Sequence, residues 1–168
     1  MPTNVLYKNP ILRKYADLIL ASTTRIKTVY YGENMAGIQA SRLPAIILNV
    51  ASGSMGHFDT VRDRHDLRIL ITVVTDIRNT TSDEQTTAPG MCELDDLIEG
   101  RNDDLTLKTD SLMYILRHNI DIDPTHNLRT DIASVTRLTM GTVPNKRLTN
   151  GWSIEGTIEL TATFFQNR

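Results

Sequence analysis

Apolar positions recur at helical spacing near the start of the chain, where Leu12, Tyr15, Ala16 and Ile19 fall on one face while Arg13, Lys14 and Asp17 point away. Asn9 is a suitable N-cap and Pro10 suits a first helical position, so the pattern predicts a helix that Ser22-Thr23-Thr24 ends. Residues 25–31 have strand-like content, and Gly32-Glu33-Asn34 marks a turn. Pro44 opens residues 45–50, a short continuous apolar run that predicts a buried strand. Residues 51–57 are small, polar and glycine-bearing and predict a surface loop. In the next strand Leu67, Ile69, Ile71 and Val73 share one side. Leu70 and Val74 join Arg68 and Thr72 on the other, as in a central strand packed on both sides.

Residues 79–89 hold almost nothing to bury and predict a long exposed loop. Residues 93–100 predict a short acidic helix closed by Gly100, with Leu94, Leu97 and Ile98 on its apolar face. A further helix is expected from a cap at Thr109 or Asp110, with Leu112, Ile115 and Leu116 inward and Asn119 as its stop. Two long strands finish the chain. The first runs over 131–140. In the second, Trp152, Ile154, Gly156, Ile158, Leu160, Ala162 and Phe164 alternate with polar residues. Residues 141–151, with the turn dipeptide Asn150-Gly151, predict the arm of a wide hairpin between them. Strands flanking a central helical pair predict an α+β fold: a mostly antiparallel (mixed) sheet with helices packed on one face, in a single domain over 1–168.

Composition and charge narrow the function classes. The 168 residues carry 18 Lys+Arg against 20 Asp+Glu, a net charge of −2, with no long basic run to grip nucleic acid. A lone Cys92 cannot form an intramolecular bridge, and a reducing compartment is expected. The N-terminus has no signal-peptide pattern, and no apolar run is long enough to span a membrane.

Candidate chemistry is sparse. His118, Asp121, Asp123 and His126 are metal-ligand types close in sequence, but they fail the calcium-loop pattern: His126 stands where glycine belongs and Ile132 where the bidentate acid belongs. Pro124 and its neighbours read instead as a helix-to-strand connection. Cys92 reads as a packed small hydrophobe. The segment Gly53-Ser54-Met55-Gly56 lacks the lysine of a phosphate loop. One charge feature stands out: Glu93, Asp95, Asp96, Glu99, Asp103 and Asp104 face only Arg101, which leaves the remainder of the chain mildly basic.

The order of elements resembles the tail terminator (tail completion) proteins of long-tailed bacteriophages. The likeness rests on an N-terminal amphipathic helix, Val29-Tyr30-Tyr31-Gly32, the strand through Leu43-Pro44-Ala45-Ile46-Ile47-Leu48, the strand at 67–76, the helix through 112–116 and the terminal strand at 152–165. It covers nearly the whole chain in order, length and pattern. The resemblance implies a structural virion protein without enzymatic activity or cofactor, assembled in the host cytoplasm. Six copies would form a ring at the head-proximal end of the tail tube, ending tube polymerisation and offering a surface to connector and neck proteins. DNA would pass through the lumen unbound, with the acids of 93–104 as candidate lumen residues. Candidate assembly surfaces are Asn79, Thr80, Asp83 and Glu84 in the long loop, Thr142, Asn145, Lys146 and Arg147 in the hairpin arm, and Thr161 and Thr163 on the last strand. The alternatives are another neck adaptor or tube-like morphogenesis protein, a cellular binding module, and a metal enzyme at 118–126.

Overall fold

The computed structural model describes residues 8–32, 37–76, 89–124, 127–130, 137–143 and 153–167. Helix α1 (Lys8–Ser22) begins just before the expected cap and ends at the serine–threonine run. Strand β1 (Thr28–Tyr31) follows, then a 3-10 turn at Ala40–Arg42. Strand β2 (Ala45–His57) and strand β3 (Arg62–Asp76) are much longer than the apolar patterns within them. Helices α2 (Pro89–Glu99) and α3 (Leu112–His118) stand where expected, but Ser111 caps α3 in place of Thr109 or Asp110, its Oγ accepting the Tyr114 N–H. Short strands β4 (Asp121–Asp123) and β5 (Leu128–Thr130) occupy the stretch read as a plain connection. Strand β6 (Arg137–Val143) and strand β7 (Ser153–Asn167) form the terminal hairpin.

The described strands make one mixed sheet in the order β1-β2-β3-β7-β5-β4, so the fold is α+β and mostly sheet. Only β1–β2 is parallel, and every other pairing is antiparallel. One edge of β7 is covered throughout by β3, from Asp76↔Ser153 to Arg62↔Asn167. Its other edge is divided, with β6 beside residues 153–159 and β5 beside Thr163 and Ala162. The hairpin expectation needs one adjustment: residues 141–143 belong to β6, because Gly141, Thr142 and Val143 pair with Glu155, Ile154 and Ser153.

Alternation sorts the buried side chains into two clusters. The larger joins Leu12, Tyr15 and Ile19 of α1, Leu94, Leu97 and Ile98 of α2, and Leu112 and Leu116 of α3 to Ile46, Leu48, Ile69, Ile71, Ile158 and Leu160 of the sheet. The smaller gathers Ile38 and Leu43 with Ala45 and Ile47 of β2 and Val74 of β3. Burying one such aliphatic side chain contributes roughly 1.5–3 kcal/mol, so the central half of the sheet holds most of the fold's stability. Polar contacts fasten the periphery to this core. The buried Tyr15 hydroxyl bonds the Thr130 hydroxyl, and burial pushes the phenol well above its ordinary range. Lys14 meets the largely buried Asp123 at 3.3 Å, tying α1 to β4.

Candidate assembly surface

Strand β2 changes character halfway. Residues 45–48 are buried, whereas 51–57 are exposed at every position. A bulge between Val50 and Ser52 marks the change, and Gly53 lies just beyond it. A Cβ at Gly53 would come within 2.7 Å of Leu67 Cδ2, so glycine is what lets this buried leucine close the end of the core. Past that point β2 continues against residues 63–68 of β3, and β3 continues against residues 161–167 of β7, making a three-stranded arm that leaves the helices behind.

The arm ends in an apolar and aromatic tip. Phe58 is 53% exposed, Val61 59% and Met55 66%. Phe58 meets Phe165 edge to face with ring centroids 4.7 Å apart, and the Arg62 guanidinium lies 5.3 Å from the first centroid and 5.9 Å from the second. His65 stacks flat on Phe164 at 4.7 Å. The turn that presents Phe58 and Val61 is held by Asp59, whose Oδ1 accepts the N–H groups of Val61 at 2.8 Å and Arg62 at 2.7 Å. These bonds, the Val61 N–H foremost and the Arg62 side chain next, hold the Asp59 carboxyl below its ordinary value.

Charged groups of the arm pair within it. Arg62 meets Asp59 at 2.7 Å, Arg64 meets Asp66 at 3.0 Å, and His57 meets Asp63 at 2.8 Å. At the arm's root Arg68 forms a two-pronged bond to Glu159, each prong 2.6 Å. Phosphates would have to compete with these carboxylates for the arginines, whereas an apolar partner could cover the tip without breaking a pair. The outer edge of β2 is a second docking feature. Partner β1 stops at Tyr31↔Leu48, so among the described residues no strand lies beside 49–57 on that side. That stretch contains no Lys, Arg, Asp, Glu or Pro to guard the edge.

The loop expected at 51–57 is therefore corrected to the exposed half of a long strand. Its small polar residues carry no strand signal of their own, and the hydrogen-bond ladder to β3 supplies the extended conformation. The one sequence cue was the turn residue Asp59 between two long segments. Of the proposed assembly residues, Thr161 and Thr163 are half-buried on β7, on the face opposite Ile158 and Leu160, and the Thr163 hydroxyl donates to Asp66 at 2.6 Å. Thr142 lies on β6 opposite Ile154. Asn79, Thr80, Asp83, Glu84, Asn145, Lys146 and Arg147 lie outside the described residues.

The acidic segment is partly committed to internal pairs. Asp96 binds Arg25 at 2.8 Å and Lys108 at 2.5 Å. Partial burial would raise its carboxyl, but the Lys108 hydrogen bond and the two cations outweigh that and hold it low. Glu99 pairs with Arg101, and Asp104 accepts the Thr106 hydroxyl and N–H, which lowers its carboxyl. Glu93 is half-buried, while Asp95 and Asp103 are exposed. Asp95, Asp96 and Glu99 line a shallow open depression with Gly100 and Arg101. A Cβ at Gly100 would fall 2.3 Å from the Asp96 carbonyl, which is why α2 closes on glycine there.

The residues weighed as metal ligands go to separate partners: His118 stacks on Tyr114, Asp121 pairs with Arg129 and Asp123 with Lys14. His126 lies outside the described residues. No described helix is long and apolar enough to cross a membrane. No family model matches the chain, and no curated protein matches it.

Proposed function

We propose that this chain is a structural assembly subunit of the tail-terminator kind: a non-enzymatic virion protein with its helices packed on one face of the sheet. Six copies form a ring on the head-proximal end of a phage tail tube. The ring ends tube polymerisation and offers its other side to connector and neck proteins. The observation that carries this proposal is the arm built from β2, β3 and β7, with Met55, Phe58 and Val61 exposed at its end and its arginines paired internally. Such a tip suits protein contact and has little to hold passing DNA. Heterologous contacts between identical subunits close into a ring where the rotation permits.

The test is the mass of the purified chain, alone and after mixing with purified tail tubes, with electron microscopy of the tube ends. A six-copy ring, or a monomer that becomes a ring on tubes and blocks their further growth, is the expected result. A chain that stays monomeric and leaves tube growth unchanged would refute the proposal.

A further inference from the structure

The turn that follows α2 presents a leucine in an unusual way. Arg101 and Leu107 bridge across it, Lys108 N–H donates to Gly100 O at 2.8 Å, and Asn102 N–H donates to Thr106 O at 2.9 Å. Leu105 closes the tip, its N–H donating to Asn102 O at 2.9 Å. Its φ is +66°, in the left-handed region where tight hairpins favour glycine or asparagine. The side chain is also 72% exposed, so burial within the chain does not compensate for that conformation. The turn around it is firmly held. Asp104 accepts from Thr106 N at 3.0 Å and from its hydroxyl at 2.6 Å, and Arg101 Nη1 donates to Leu105 O at 2.7 Å. A disfavoured backbone conformation, fixed by its surroundings and carrying an exposed apolar side chain, is characteristic of a contact site.

We propose that Leu105 is a docking knob for a second copy of this chain, seated on the arm tip of that copy against Phe58 and Val61. Two features of the molecule favour this occupant. The same chain carries an exposed apolar knob on one element and an exposed apolar tip on another, which is the requirement for a heterologous contact between identical subunits. The charges also complement each other: Asp103 and Asp104 flank the knob, and Arg62, its side chain 44% exposed, lies over the Phe58 ring of the tip. The proposal rests on the ring reading for its head-to-tail geometry and adds to it the residues that meet.

The full-length chain is tested by sedimentation velocity across a concentration series, with melting temperature and circular dichroism as controls. Leu105→Gly is expected to melt at or above the wild-type temperature, because glycine accepts the left-handed conformation, yet to weaken self-association at least tenfold. Phe58→Ser, with Val61→Ser as a second arm variant, is expected to weaken it similarly while keeping the wild-type dichroism. An equimolar mixture of Leu105→Gly and Phe58→Ser chains is expected to yield a species of twice the subunit mass. In that pair the Phe58→Ser copy supplies an intact knob and the Leu105→Gly copy an intact tip. Wild-type assembly by all variants would overturn this pairing and leave the ring reading standing. A mixture that stays monomeric, or a Leu105→Gly chain that loses much of its stability, would also overturn the pairing. A wild-type chain that remains monomeric with and without tail tubes would remove the ring reading and this contact together.

Discussion

Strands β2, β3 and β7 each pass through two environments, and the contrast between their halves explains most of this molecule. In the central half, Ile46, Leu48, Ile69, Ile71, Ile158 and Leu160 are buried among the residues of three helices. In the arm half, the same strands keep their register and hydrogen bonds but leave the helices behind, and β2 is exposed from Ala51 to His57. One half is held by apolar burial. The other is held by backbone ladders, the paired side chains Arg64–Asp66 and His57–Asp63, and ring contacts at the tip. A sheet that extends past its own core leaves edges and apolar side chains uncovered. That is a stability liability in a monomer and a binding resource in an assembly.

The strongest way to break the contrast is to place a charge on each side of β7. Ile158→Asp puts an unpaired carboxylate at a fully buried position and is expected to destabilise by roughly 4 kcal/mol or more, leaving little folded chain by circular dichroism. Thr161→Asp lies on the opposite side, opposite Arg68 in register, and is expected to fold normally. Equal damage from both would show that the two sides are not distinct.

A gentler comparison truncates one side chain in each half. Ile69→Ala is expected to cost about 2–5 kcal/mol in urea unfolding, whereas Met55→Ala should stay within about 0.5 kcal/mol. A large loss at Met55 would mean the arm has a core of its own. At the boundary, Gly53→Ala forces a methyl group toward Leu67 and should cost about 1 kcal/mol. No change there would show that the core does not end at that glycine.

The smallest expected effect concerns pH and the central half alone. The Asp96 carboxyl is held low by Lys108 and Arg25, so its contribution is complete above the ordinary aspartate value of about 3.9 and is lost as pH falls through the lowered folded value. The urea midpoint should therefore drop more between about pH 6 and about pH 3 in the native chain than in Asp96→Asn. Identical slopes in the two proteins would contradict that assignment.

Much of the central half was legible in the sequence. The stripes Leu12, Tyr15, Ala16, Ile19 and Leu94, Leu97, Ile98 are buried as their spacing requires, and the alternation from Ile154 to Ala162 sets the facing of β7. The arm was not legible, because residues 51–57 have neither apolar alternation nor β-branched content. Strands β4 and β5 have three residues each, too few to show a period. At the start of α3, Thr109, Asp110 and Ser111 are all capping types, and local chemistry could not choose among them. Nothing in the sequence around Leu105 announces its exposure or its left-handed backbone.

What the sequence by itself determined is the set of segments that must be buried, since apolar periodicity reports directly which face of an element leaves water. It also determined that the chain carries little net charge and an acidic stretch from Glu93 to Asp104. What only the tertiary structure decided is where strands continue beyond their apolar runs, which acids become internal pairs, and which apolar side chains remain outside. Those outcomes depend on partners distant in the chain: β3 draws out β2 by its hydrogen-bond ladder, and Arg25 reaches Asp96 across 71 positions of sequence.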